Sequence, residues 1–232
     1  AEKGRLLSCI CWVGVICSGA GILMFGGFIQ GNGWVVGGRL QFSLQYANAA
    51  AALFATCFVL QVMRGGATVR ALSVLSLFAL LLTRSFGMIA VFAVVGAAVL
   101  VCLLRRRERA KAVMAVMAVM VAALGYGASL LAGAAWVPLC AAICVTASFI
   151  LQRPIEAAAE GEHGPRLVAA VLGAFCIALV LGAAVALQSS RADQALSNFA
   201  ERLVLLRDGA SLLASSPLIG IGPDAFLEQF RY

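Results

Sequence analysis

Long apolar segments recur along this chain, and they limit what it can fold into more than any other feature does. Each is close to the roughly 20 residues that an α-helix needs to cross the hydrocarbon core of a bilayer. Apolar residues make up 63% of the 232 residues and charged residues 12%, whereas soluble domains are roughly 45–50% apolar. We therefore predict an all-α fold, a polytopic bundle of transmembrane helices, and not a soluble domain.

Hydropathy predicts about seven spans. They cover residues 6–29, 46–63, 69–83, 86–104, 112–132, 134–151 and 167–187. Gly, Ala and Ser are frequent within them, which allows close helix packing in lipid. The third segment is short for a span. Residues 1–187 are thus expected to form the transmembrane helical domain, and residues 188–232 a loop outside the bilayer.

The Lys and Arg residues between the spans predict which side each loop faces. With the N-terminus inside, most of the 17 basic residues lie in inner segments: Lys3, Arg5, Arg64, Arg70, Arg105, Arg106, Arg107, Arg109, Lys111, Arg153 and Arg166. The remaining ones lie in outer segments: Arg39, Arg84, Arg191, Arg202, Arg207 and Arg231. Short loops rich in Lys and Arg stay in the cytoplasm. We therefore predict that the N-terminus is inside and that residues 188–232 are extracytoplasmic.

Two features suggest cofactors or nucleic acid, but both have plainer interpretations. The eight Cys residues fall inside predicted spans, where Cys packs as a small hydrophobic residue, whereas a disulfide or zinc site would need several in a polar loop. The basic run RRRERAK (105–111) directly follows a span on the inner side, where such residues anchor topology and contact anionic lipid. We therefore expect no metal, no cofactor and no nucleic-acid partner, and only membrane lipids around the spans.

Polar residues that topology does not require precede the second span, in GGRLQFSLQYANAAA (37–51). Arg39 is notable because an outer loop gains nothing in topology from positive charge. Tyr46 and Asn48 stand where the second span begins. A plainer interpretation of Asn48 is a polar residue at a helix entrance.

The second polar region is FAERLVLLRDGASLLASSPLIGIGPDAF (199–226). At about 100° per residue its apolar side chains form one stripe, made of Phe199, Leu203, Leu206, Ala210, Leu213 and Ala214. Arg202 and Arg207 flank this stripe, which predicts an amphipathic helix lying on the outer membrane surface. The plainer interpretation is that both arginines only anchor the helix, and that the segment from Pro217 onward is only a turn.

In combination, these two regions resemble the O-antigen ligase and O-antigen polymerase family of bacterial membrane glycosyltransferases. That family has an arginine ahead of an Asn-containing span entrance, matched here by Arg39 and Asn48. It then has an Arg-containing helix, a Pro-Leu-hydrophobic-Gly-hydrophobic-Gly segment and an aromatic residue. The matching positions here are Arg202, Arg207, Pro217, Leu218, Ile219, Gly220, Ile221, Gly222 and Phe226. The resemblance runs from Gly37 to Tyr232.

The sequence departs from the family in two places. The family commonly has a Thr-x-Ser-Arg-Gly turn, whereas this chain has Thr83-Arg84-Ser85-Phe86-Gly87. The arginine lies two positions earlier, so the resemblance assigns no role to Arg84. Family members also carry an essential His, usually before Asn, later in the large outer loop, and further spans on both sides. The chain therefore looks like an internal fragment, and the fragment by itself is expected to be inactive.

The resemblance implies transfer of a glycan from a polyprenyl-diphosphate carrier to a hydroxyl of a lipid or glycan acceptor, at the outer face of the bacterial inner membrane, without metal or nucleotide. It implies catalytic roles for Arg39 and Arg202. It implies substrate binding by Arg207, Tyr46, Asn48, Gly220 and Gly222. Guanidinium suits a diphosphate leaving group because it stays protonated and binds phosphate through two parallel hydrogen bonds.

Two other classes of function remain open. A transporter or channel subunit could use outer arginines to bind an anion, although transporters tend to place ionisable residues inside spans and to use broken helices in paired halves. The predicted spans here hold almost no charge and show no internal repeat. A structural membrane partner without activity is the third class.

Overall fold

The computed structural model describes residues 2–161, 164–187, 200–201, 203–211 and 214. The chain divides into two compact units, Ala1–Ile177 and Ala178–Tyr232. The α-helices in order are α1 (Glu2–Phe25), α2 (Ala47–Arg64), α3 (Ala67–Leu82), α4 (Phe86–Arg105), α5 (Arg109–Ala132), α6 (Val137–Glu160) and α7 (Gly164–Leu187). Short 3-10 helices at Phe42–Leu44 and Ala134–Trp136 and a two-stranded hairpin also lie within the first unit. The predicted all-α helical fold is confirmed.

Five helices in the described residues are long and apolar enough to cross a membrane: Gly4–Phe25, Ala47–Arg64, Phe86–Arg105, Arg109–Ala132 and Ala134–Glu160. They correspond to five of the predicted spans, so the chain has the character of a membrane protein with several spans. Two further apolar helices are shorter, Ala67–Leu82 and Gly164–Cys176. Seven crossings and an inside N-terminus remain predictions.

Two helix C-termini differ from the predicted spans by more than one residue. α1 ends at Phe25 and not at 29, because Gly27 takes a left-handed φ of 81°. Its amide donates to the Met24 carbonyl at 3.1 Å, and the Phe28 amide donates to Leu23 at 3.0 Å, the bonding pattern of a glycine-terminated helix. α6 continues beyond 151 to Glu160 and passes through Pro154, so the proline costs one helical hydrogen bond without ending the helix.

The all-helical interpretation missed a small hairpin between α1 and α2. Strand β1 (Val35–Val36) pairs antiparallel with β2 (Arg39–Leu40), and Val36 lies opposite Arg39. Gly37 and Gly38 have φ values of 58° and 68°. Two left-handed residues form the tight turn whose twist matches that of paired strands.

The short helix α3 is the centre of the first unit. It contacts α1, α2, α5 and α6, and Phe78, Leu80 and Leu82 are almost completely buried. α4 is peripheral, since Leu103 is the one buried residue within Phe86–Arg105. A helix surrounded by protein does not have to match the thickness of the bilayer, which explains how a helix of 16 residues fits among longer ones.

A buried polar network joins α1, α2 and α3. Gln61 Nε2 donates to the Cys11 carbonyl at 3.2 Å, and Ser76 Oγ donates to Gln61 Oε1 at 2.9 Å. Ser18 Oγ lies 2.9 Å from Ser76 Oγ and donates to the Gly14 carbonyl at 2.7 Å. Gln61, Ser76 and Ser18 are all 0% exposed. Because an unpaired polar group in an apolar interior is costly, this network sets the register of the three helices.

Replacing Gln61 with Leu is expected to lower the free energy of unfolding by about 1–2 kcal/mol, since two interhelical hydrogen bonds are lost in an apolar environment. Denaturation of the purified protein in mixed micelles measures this. Thr56→Val is the matched control, a polar-to-apolar change at an exposed position of α2, and should leave stability unchanged. Equal stability of the two variants would show that the network contributes nothing.

Candidate functional site

The hairpin is held against the helices by its second strand and the turn that follows. Leu40 is fully buried, and the Phe42 ring packs edge-on against Phe54 at a centroid distance of 5.7 Å. A Cβ at Gly21 would lie 3.1 Å from Leu40 Cδ2, so the absence of a side chain there lets the loop approach α1. These contacts fix the position of Arg39.

The half-buried Arg39 is oriented by the end of α3. Its Nε donates to the carbonyl of Thr83 at 3.1 Å. Thr83 is the C-terminal cap of α3, and a cation is favourable at the negative end of the helix dipole. Among the described residues no acceptor engages the two terminal nitrogens of Arg39. The guanidinium is thus held through one nitrogen, and its terminal pair remains available to a ligand.

Arg84 follows Thr83 and takes a left-handed φ of 49°, which costs a non-glycine residue about 1 kcal/mol. Its terminal nitrogen Nη1 lies against the hairpin turn, because a Cβ at Gly38 would lie 3.3 Å from it. Its Nε is buried without a hydrogen-bond partner in the described part of the chain. Arg84 therefore lies beside Gly38, the chain neighbour of Arg39. Arg39 in turn donates to Thr83, the chain neighbour of Arg84.

Asn48 connects the start of α2 to the turn between α3 and α4. Ser85 Oγ donates to Asn48 Oδ1 at 2.6 Å, and Asn48 Nδ2 donates to the Tyr46 hydroxyl at 3.0 Å. The Ser85 amide also donates to Thr83 Oγ1 at 3.3 Å. The Asn48 amide is therefore engaged in positioning its neighbours, whereas Tyr46 is 60% exposed.

The charges of this region are unbalanced. Within the described residues the ion pairs are Arg70–Glu156 and Lys111–Glu108, so no carboxylate neutralises Arg39 or Arg84. Guanidinium groups on neighbouring segments, here the hairpin and the turn between α3 and α4, repel each other unless an anion lies between them, and phosphate oxygens match their geometry. We call Arg39 and Arg84, with Gly38, Asn48 and Ser85, the arginine site.

An apolar groove begins next to the arginine site, between α2 and α4. Its volume is about 310 Å³, and it is lined by Ala52, Ala55, Thr56, Val59, Leu60, Met88, Val91, Phe92 and Val95. Ala52 is about one helical turn beyond Asn48, and Met88 about one turn beyond Ser85. The groove therefore leads away from the arginines along the two helices.

The structure brings together three of the residues singled out in the sequence, Arg39, Tyr46 and Asn48, and adds Arg84. A signal for Arg84 was present in the sequence, since Arg39 and Arg84 are the two arginines that the predicted topology places outside within residues 1–187. Arg202, Gly220 and Gly222 lie outside the described residues.

Arg207 belongs to the second unit, which is described over short stretches. Residues 200–201, 203–211 and 214 are helical. Leu203 and Leu206 of the predicted apolar stripe are 50% and 70% exposed, and the Arg207 side chain is exposed as well. The exposure of these two leucines fits the predicted surface helix, whose position on a membrane remains a prediction.

Comparison with known proteins adds no family to these observations. No family model, no curated protein and no solved structure matches this chain. The arrangement of the arginine site and the groove is therefore what the functional interpretation depends on.

Proposed function

We propose that this chain belongs to a bacterial inner-membrane glycosyltransferase of the O-antigen ligase or polymerase type. In this proposal the arginine site binds the diphosphate of a polyprenyl-diphosphate-linked glycan. The supporting observation is that Arg84 lies against the hairpin beside Arg39, and that neither arginine has a carboxylate partner in the described residues. The glycan is transferred to a hydroxyl of a lipid or glycan acceptor on the outer face.

The chemistry of the leaving group supports arginines in this position. As the acceptor oxygen attacks the anomeric carbon, the bond from that carbon to the diphosphate oxygen breaks, and the diphosphate gains negative charge. Cations already oriented before the reaction stabilise that charge without rearrangement. Arg39 is oriented by the Thr83 carbonyl, and each charge-assisted hydrogen bond contributes about 1.5–3 kcal/mol.

The apolar groove supports a lipid-linked substrate over a soluble one. Its lining is almost entirely aliphatic and aromatic, and it begins one turn from the arginine site. An isoprenoid chain lying along α2 and α4 would bring its diphosphate to the level of Arg39 and Arg84. A soluble anion has no apolar chain to place in the groove.

The remaining assignments follow from the resemblance. Tyr46 is exposed beside the site and would contact the glycan. Arg202 is proposed as a second catalytic cation, with Arg207, Gly220 and Gly222 binding the substrate. The proton of the acceptor hydroxyl would go to the family's histidine.

The proposal is tested by binding of a polyprenyl diphosphate to the purified chain in nanodiscs, which does not require the histidine. Arg39→Gln is expected to weaken binding about 10–100-fold, as the loss of charge-assisted bonds predicts. Arg39→Lys should weaken it less, because the charge stays while the paired geometry is lost. Arg153→Gln, at an exposed position near the end of α6, is the control and should bind as the unmodified protein does.

Two results would contradict the proposal. If Arg39→Gln leaves binding of the polyprenyl diphosphate unchanged, Arg39 is not part of the diphosphate site. Arginine-dependent movement of a soluble anion across vesicles, without lipid-diphosphate binding, would favour a transporter.

A further inference from the structure

We propose that the opposite end of the bundle binds the phosphodiester headgroup of an anionic phospholipid of the phosphatidylglycerol class. The first observation is a cavity of about 560 Å³ where α3 begins, α4 turns into α5, and α6 ends. This volume is within the range of about 300–1,000 Å³ typical of small-ligand sites. Its lining is Arg70, Arg107, Glu108, Arg109, Ala110, Lys111, Glu156, Ala159 and Glu160. This inference is independent of the proposed glycosyltransferase function.

The second observation is the charge balance of the cavity. Arg70 Nη2 pairs with Glu156 at 3.0 Å, and Lys111 pairs with Glu108 at 2.6 Å. The hydrogen bond from Lys111 holds the pKa of Glu108 below its ordinary value, so that pair stays charged.

Two cations of the cavity remain unpaired. Arg107 and Arg109 have no carboxylate partner among the described residues, whereas Glu160 is the remaining lining carboxylate. The lining thus carries one positive charge in excess. A phosphodiester with one negative charge balances it.

The third observation is the start of α5, a helix of 24 residues. Its cap residue Glu108 makes no side-chain capping hydrogen bond, and the first helical bond runs from the Ala112 amide to the Glu108 carbonyl. The amides of Arg109, Ala110 and Lys111 therefore lie at an uncapped helix N-terminus, and these three residues line the cavity. Such amides and the helix dipole favour a phosphate group.

The fourth observation is the backbone of Arg107, which is left-handed with φ of 59°. Its amide donates to Leu104 at 3.0 Å and the next amide donates to Leu103 at 2.9 Å, the motif in which glycine is strongly preferred. At the equivalent end of α1 that position is Gly27. The Arg107 side chain is exposed, so its packing does not offset the cost of the left-handed backbone. What an arginine adds over glycine at this position is its positive charge.

The same phosphate chemistry could come from a lipid or from a free phosphate, and the location favours the lipid. The cavity lies at the ends of α4, α5 and α6, which are apolar enough to span a membrane, and the ends of spanning helices lie at the level of the lipid headgroups. In the predicted orientation this is the inner leaflet, which carries anionic lipid. The glycerol hydroxyls of phosphatidylglycerol can also donate to Glu160, whereas a choline headgroup cannot.

The test measures lipid retention by the purified chain, using native mass spectrometry from micelles with equal amounts of phosphatidylglycerol and phosphatidylcholine. Phosphatidylglycerol is expected to be retained preferentially. Arg107→Gly should reduce that retention about tenfold, as the loss of a charge-assisted bond predicts, and should fold normally because glycine accepts the left-handed backbone. Arg106→Gln is the matched control, since Arg106 is exposed and adjacent but does not line the cavity, and should retain lipid as before.

Three outcomes would overturn the proposal. An equal loss for Arg106→Gln would mean that the basic run acts as a diffuse anchor. Competition by inorganic phosphate at millimolar concentration would point to a soluble ligand. Equal retention of the two lipids would show that the cavity does not select the phosphatidylglycerol headgroup. If thermal denaturation shows that Arg107→Gly does not fold, Arg109→Gln provides the same comparison within the cavity lining.

Discussion

Gly125→Val is expected to destabilise the protein by about 3 kcal/mol, the upper part of the range for overpacked interiors. A Cβ at Gly125 would overlap the Cys144 sulfur and lie 3.1 Å from Phe78 Cε2. Cys144 belongs to α6 and Phe78 to α3, so the added atoms would force three helices apart at once. The measurement is denaturation in mixed micelles, together with the yield of monodisperse protein.

Gly127→Val is the matched control for this prediction. It makes the same change in the same helix, with the same small gain in helix propensity, but a Cβ at Gly127 meets nothing within 4 Å. It should change stability by less than about 1 kcal/mol. If both variants lost equal stability, close packing of α5 at Gly125 would not be responsible.

The double variant Arg39→Gln with Arg84→Gly is expected to weaken binding of a polyprenyl diphosphate by at least about 100-fold. Each guanidinium contributes about 1.5–3 kcal/mol through charge-assisted hydrogen bonds, and every 1.4 kcal/mol corresponds to about tenfold in affinity. Glycine is chosen at position 84 because it accepts the φ of 49°, so the α3–α4 turn is kept while the cation is removed. The measurement is a binding titration in nanodiscs with both single variants.

Arg107→Gly is the control for Arg84→Gly, because it makes the same change at the same backbone conformation at the other end of the bundle. It should leave polyprenyl-diphosphate binding unchanged. If Arg39 and Arg84 bind one phosphate together, the double variant will lose less than the sum of the single losses, because neighbouring residues couple. Full binding by the double variant would exclude the arginine site as the diphosphate site.

The existence and approximate bounds of the helices could be predicted because they depend on local information. α2 was expected at 46–63 and is Ala47–Arg64, and α4 was expected at 86–104 and is Phe86–Arg105. A run of apolar residues is sufficient to predict a helix in lipid, where every backbone polar group must be satisfied within the segment.

Helix ends and short strands depended on single residues. The Gly37-Gly38 pair after two valines was a hairpin signal that the strongly apolar surroundings concealed. The end of α1 depended on which glycine, Gly26 or Gly27, adopts the left-handed backbone conformation. Pro154 usually marks a helix end, but Gln152 before it donates a hydrogen bond to Glu156 after it, and Ala159 is completely buried. Those contacts keep the helix going.

The sequence alone determined the class of protein and two members of the candidate site. Apolar length and the placement of charge indicated a helical membrane protein, and Arg39 stood out as an arginine that topology does not require in a predicted outer loop. Only the tertiary structure decided that Arg84 lies next to the hairpin that carries Arg39. Its proximity to Gly38 depends on the left-handed turn after α3 and on a hairpin anchored by Leu40. Contacts between residues far apart in sequence arise from packing, and no local pattern of residues encodes them.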